Sequence, residues 1–204
     1  MTHRATARLF VAVDVPPAVR EELAAWAREV ASALGFKEPP AASAPLRVLE
    51  PEAQHLTLCF LGSRPVDEID TIGAAVSACA GYVDEVSVGA PLWLPPRRPR
   101  ALAVEVHDRG GGLARLQEAV SSETARAIAW EPERRRFRAH ITVARMREAR
   151  RRQAIAEGAR LPATPPLRFT PESLVLYRSW LYRSWLSRAG ATYEPLVARV
   201  LVPS

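Results

Sequence analysis

The tightest constraint in this chain is a four-residue motif that occurs twice. His55-Leu56-Thr57-Leu58 and His140-Ile141-Thr142-Val143 both read His-x-Thr-apolar, 85 positions apart. Four His and nine Thr in 204 residues would place only about 0.18 His-x-Thr triplets by chance. Each motif lies in a β-favouring stretch. In a strand, residues two apart share a face. Each motif therefore projects an imidazole beside a hydroxyl, while its apolar positions pack on the other face. A fold for this sequence has to accommodate two such strands.

The residue types suit acid–base chemistry on phosphorus. Cleaving a phosphodiester needs a base for the attacking oxygen and an acid for the leaving oxygen. Neutral imidazole and imidazolium fill those roles near neutral pH. The Thr hydroxyls can hydrogen-bond the non-bridging oxygens. This design calls for no cofactor and no metal. Two His without a placed carboxylate or Cys are a weak zinc ligand set.

Periodicity gives the elements between the motifs. Leu9 to Val13 reads as a strand. Val19, Leu23, Trp26, Val30 and Leu34 mark an amphipathic helix. Residues 35–51 read as a loop, and His55 to Leu61 as a strand stopping at Gly62. A second helix opens at Pro65 and carries Val66, Ile69, Ile72, Val76 and Cys79 on its apolar face. Strands follow over 83–94 and 101–106, around an Arg- and Pro-rich turn. A third helix is marked by Leu113, Leu116, Val120 and Ala127. Ala139 to Ala144 is a strand, and Arg145 to Glu157 a solvated helix. Two late strands lie near 169–177 and 193–202. Few connections look like parallel crossovers, so the fold class is α+β with antiparallel pairing. Tyr177-Arg178-Ser179-Trp180-Leu181 recurs at once as residues 182–186. An odd repeat length reverses strand facing, which a bulge can absorb.

Composition sets the outer bounds. Hydrophobic residues are 48% and charged residues 25%, the balance of a globular chain rather than a disordered one. No run approaches the ~18 apolar residues of a membrane span. Two cysteines without Cys-x-x-Cys make a reducing cytosol the default, so the chain is expected to be cytoplasmic. The net charge is +6. It admits a polyanionic partner, and equally a coding habit that writes Arg wherever a cation is wanted.

The paired motifs and their surroundings resemble the RNA 2′,3′-cyclic phosphodiesterase branch of the 2H phosphoesterase superfamily, also called the 2′-5′ RNA ligase family. The supporting stretches are Arg8 to Pro16, His55 to Gly62, His140 to Arg145 and Leu176 to Ser179, with Gly190, Tyr193, Pro195 and Leu196. They span nearly the whole chain. The resemblance implies a single domain over residues 1–204, bilobal and pseudo-twofold. Two antiparallel sheets would face each other across a central groove with helices outside, each lobe giving one motif. It implies hydrolysis of RNA 2′,3′-cyclic phosphate ends to 2′-phosphates, with possible reverse 2′-5′ ligation. It assigns His55 as proton donor to the departing 3′ oxygen and His140 as the base for water. Thr57, Thr142 and Arg145 would hold the phosphate.

Strand parity sets a condition on Arg145. In a regular strand it faces away from His140 and Thr142, so the strand must end or bulge near Ala144. Cys59 shares parity with His55 and Thr57 and reads as a packing residue, while Phe10 and Phe60 read as core, with lining of the groove the alternative for both. Arg97, Arg98 and Arg100, the group Arg134, Arg135, Arg136 and Arg138, and the group Arg147, Arg150, Arg151 and Arg152 are either RNA contacts or solvated surface. Trp130, Trp180 and Trp185 are candidate base-stacking or core residues. His3 reads as tail and His107 as a loop or strand-end residue without catalytic work. The implied partners are RNA ends or nucleotide cyclic phosphates, with no membrane and no obligate protein partner. Two rivals remain: a 2H enzyme acting on a small nucleotide or ADP-ribose cyclic phosphate, and a catalytically idle RNA- or nucleotide-binding module.

Overall fold

The computed structural model describes residues 4–36, 45–79, 81–96, 99–146, 161–180 and 192–201. The chain begins with β1 (Thr6–Val13), α1 (Pro17–Ala33), β2 (Leu46–Val48) and β3 (Leu56–Pro65). It continues with α2 (Ile69–Ala78), β4 (Val86–Leu94), β5 (Ala101–His107) and α3 (Gly112–Ala127). Last come β6 (His140–Met146), β7 (Arg168–Phe169), β8 (Ser173–Trp180) and β9 (Thr192–Val200). The predicted α+β class holds, and every pairing among the described strands is antiparallel.

The expected two sheets are one. The strand order is β7-β4-β5-β6-β3-β1-β8-β9, with β2 added on β6. The physical reason lies at the centre, where the two motif-bearing strands pair with each other through Leu56 and Ile141. Both residues are fully buried. Alternation then sorts the side chains of each strand. In β1, Leu9, Val11 and Val13 are in the core, while Arg8 and Phe10 line the groove on the opposite face.

The helices arise as their apolar spacing requires. Pro17 opens α1 at a position where a missing N–H costs nothing. Val19, Leu23, Trp26 and Val30 form its buried stripe, which packs near β2 and β6. α2 lies against α3, β8 and β9. Its approach to β9 is close, because a Cβ at Gly73 would stand 2.9 Å from Val197 Cγ2.

Several local expectations change. The segment 35–51 contains a strand, β2, because Leu46 finds a buried place beside Met146. β3 runs past Gly62, whose positive φ of 73° lets the strand turn without stopping. The predicted helix from Pro65 begins as a short 3-10 turn over Val66–Glu68. Arg145 and Met146 extend β6 rather than opening a helix. The rest of that predicted helix, the second pentapeptide copy and His3 lie outside the described residues.

The Leu56–Ile141 joint yields a stability test. Leu56→Ala and Ile141→Ala should each cost roughly 2–5 kcal/mol, the range for truncating a buried Leu or Ile. The two losses should be non-additive in a double-mutant cycle, because the side chains share one contact. Urea denaturation of the four proteins measures both.

Candidate active site

The antiparallel pair Leu56–Ile141 sets His55 against Thr142 and Thr57 against His140 by register. All four side chains line one groove of about 460 Å³, together with Arg145. Two sequence motifs thus become one site.

Each motif is followed by an extra residue. In β3 the pairing with β1 runs Ala12–Thr57, then Val11–Cys59, so Leu58 is additional. In β6 the pairing with β5 runs Ala103–Thr142, then Leu102–Ala144, so Val143 is additional. Such bulges reverse the facing of the residues beyond them. Arg145 is therefore turned into the groove, meeting the condition that regular alternation would have broken. The same device moves Cys59 out. Its thiol is buried and lies 3.2 Å from Ser121 Oγ of α3. Burial pushes that thiol up to about 11, and packing is its role as predicted. Phe60 is turned in, which corrects its placement in the core. It is 56% exposed and lines the groove. Phe60 and Arg145 occupy equivalent positions after the two motifs.

The two imidazoles are held alike and surrounded differently. His140 Nδ1 lies 2.7 Å from the Arg138 carbonyl oxygen. As donor to that carbonyl, Nδ1 leaves Nε2 for chemistry. The backbone of Ala53, also two residues earlier, interacts with His55 and favours its protonated form. Beyond that contact, His55 stands among aromatic rings that sequence reasoning did not collect. Phe10 stacks on it at 4.7 Å between ring centroids, and Tyr193 meets it edge-on at 4.9 Å. Tyr177 stacks on Phe10 at 5.2 Å. The register explains the row, since Phe10 pairs with Phe60 on one side and Tyr177 on the other. Phe10 is buried as expected and lines the groove as well. The Tyr177 hydroxyl donates to Asp14, which also accepts from Ser173 Oγ at 3.2 Å. That anchor fixes the ring behind Phe10.

Burial among these rings, and next the Arg145 charge, lowers the His55 pKa from 6.5 to about 4. The backbone bond to Ala53 opposes the shift, and His140 adds to it.

Other predicted positions fall outside the groove. Arg138 forms an ion pair with Glu105 of β5. Arg134, Arg135 and Arg136 are exposed, and Trp130 packs against the core. His107 ends β5. Arg97, Arg98, Arg147, Arg150, Arg151, Arg152 and Trp185 lie outside the described residues. Arg8, Arg47, Ser179 and Tyr193 line the groove. Of these four, Arg8, Ser179 and Tyr193 carried a sequence signal, through the stretches that bear the family resemblance; Arg47 carried none. No group of three His, Cys, Asp or Glu gathers among the described residues as a metal site. No described helix is long and apolar enough to cross a membrane.

No model of a known protein family matches the chain. An RNA 2′,3′-cyclic phosphodiesterase of Archaeoglobus fulgidus is 30% identical over 141 residues, 69% of this chain and 73% of that protein. The chain belongs to the RNA 2′,3′-cyclic phosphodiesterase family. A second cyclic phosphodiesterase, from Aeropyrum pernix, is 31% identical over 116 residues, covering 55% of this chain and 64% of its own. The phosphodiesterase fold extends over nearly the whole chain. The crystal structure of E. coli LigT complexed with 3′-AMP superposes with a TM-score of 0.72 at 23% identity, covering 97% of this chain and 99% of LigT. TT0787 of Thermus thermophilus gives 0.69 at 26% identity, covering 95% and 97%. LigT has also been crystallised with NADP+ and with ATP.

The depressed His55 pKa predicts a pH dependence of stability. The unfolded chain takes up this proton near pH 6.5, the folded chain only near 4. The contribution is therefore complete above pH 6.5 and is lost as pH falls toward 4, at about 1.4 kcal/mol per unit within that window. Urea melts at pH 7 and pH 4.5 should show a steeper loss in the wild type than in His55→Gln.

Proposed function

We propose that this member of the cyclic phosphodiesterase family hydrolyses RNA 2′,3′-cyclic phosphate ends to 2′-phosphates by two-histidine acid–base catalysis. The observation that carries the proposal is the meeting of both His-Thr pairs and Arg145 in one groove. The 204 residues act as one domain, with pseudosymmetric halves each supplying one motif. The matching backbone contacts of the histidines and the matching bulges support that division. Buried free thiols at Cys59 and Cys79 accord with a cytoplasmic site of action.

His140 takes the proton of the attacking water through Nε2. The water oxygen bonds to phosphorus and the P–O3′ bond breaks. His55 gives its proton to the departing 3′ oxygen, leaving the 2′-phosphate. Thr57, Thr142 and Arg145 hold the non-bridging oxygens, whose charge they match through the transition state. With an RNA 5′-hydroxyl in place of water as the nucleophile, the same groups join a cyclic end through a 2′-5′ linkage: His140 takes the hydroxyl proton, the 5′ oxygen bonds to phosphorus, and the 3′ oxygen leaves with the His55 proton.

His55 requires a proton that the free protein resists. A bound phosphate offsets Arg145, the second cause of the depression, and attracts the imidazolium directly. The pKa assigned to His55 should thus lie higher in the kcat profile than in the kcat/KM profile, because the former reports the complex. The same low value favours a second reading, in which His55 is the base and His140 the acid. A leaving group that needs no proton separates the two. His55→Ala and His140→Ala should each lower turnover of the cyclic phosphate by about 10² or more. With sulfur replacing the 3′ bridging oxygen, turnover should return in His55→Ala alone. Its return in His140→Ala alone reverses the roles, and full turnover in either variant with the oxygen substrate removes the mechanism.

A further inference from the structure

Chemistry on one phosphate leaves part of the groove unexplained. β2 pairs with the end of β6 so that Arg47 stands directly opposite Arg145. Both line the groove. Residues opposed in antiparallel strands project from one face with Cβ atoms about 4.5–5.5 Å apart. The Leu49 N–H, bonded to the Val143 carbonyl at 2.8 Å, fixes β2 in this position. The pair is thus held by backbone bonds at the very bulge that turns Arg145 inward.

Two opposed guanidiniums suit two neighbouring anions, and a single-stranded RNA end presents its phosphates in a row. Arg145 lies on the motif strand and serves the phosphate between the histidines. Arg47 stands beside it on β2, which pairs along the same edge of β6 that β3 takes. The other end of the groove is unlike this one. There the exposed Phe60 offers a ring on which a base can stack where this end offers a second charge.

We infer that Arg47 is a specificity residue that binds the phosphate on the 5′ side of the terminal nucleotide, so that the site favours an RNA end over a mononucleotide. The inference rests on the cyclic phosphodiesterase reading above.

The test compares kcat/KM for cytidine 2′,3′-cyclic phosphate with that for a trinucleotide ending in the same group. Wild-type protein should favour the trinucleotide. Arg47→Gln should lower the ratio of the two values about tenfold, as expected for losing a charge-assisted phosphate contact. Arg47→Lys, which keeps the charge, should retain most of the ratio. The salt dependence for the trinucleotide should become shallower in Arg47→Gln by about 0.7 in the log–log slope. Equal losses on both substrates would place Arg47 on the cyclic phosphate itself and overturn the inference, as would an unchanged ratio. Wild-type protein inert on both substrates would instead overturn the phosphodiesterase reading beneath it.

Discussion

One cross-strand contact organises this protein. Leu56 and Ile141 pair between strands that are distant in sequence, and both are fully buried. The alternation of a β-strand does the rest. Burying the middle residue of each His-x-Thr motif against its counterpart forces all four flanking polar side chains onto the opposite face. The hydrophobic core and the polar site are thus two sides of one constraint. A shift of one residue in either strand would exchange them.

Much of this was legible in the sequence because it depends on period. The helices followed from apolar spacing in α1, α2 and α3. The pairing of imidazole with hydroxyl followed from the two-residue repeat. What stayed hidden were departures from period. Nothing local to Leu58 or Val143 announces an extra residue, yet these two bulges decide whether Cys59 or Phe60, and Ala144 or Arg145, enters the groove. β2 was hidden for another reason. Three residues within a Pro- and Ala-rich stretch have too little pattern to show that Leu46 belongs beside Met146. The single sheet was hidden because a lone residue pair joins what the resemblance implied as two.

The site is symmetric in how it is built and asymmetric in what surrounds it. Both histidines lean on the backbone two residues back, and both motifs end in a bulge. His55 is then enclosed by Phe10, Tyr177 and Tyr193. Low polarity around this imidazole, and next the Arg145 charge, lower its affinity for a proton. The equivalent positions Phe60 and Arg145 extend this difference along the groove, one presenting a ring and the other a charge. Among the described residues, the net charge of +6 gains a specific meaning at Arg8, Arg47 and Arg145, because these arginines line the groove.

The central claim is that the paired motifs form a hydrolytic site for cyclic phosphate ends. The most direct measurement is ³¹P NMR of a short RNA ending in 2′,3′-cyclic phosphate, incubated with the protein in EDTA. Conversion to the 2′-phosphate isomer is the predicted result. Formation of the 3′-phosphate isomer, or persistence of the cyclic resonance, would contradict the account.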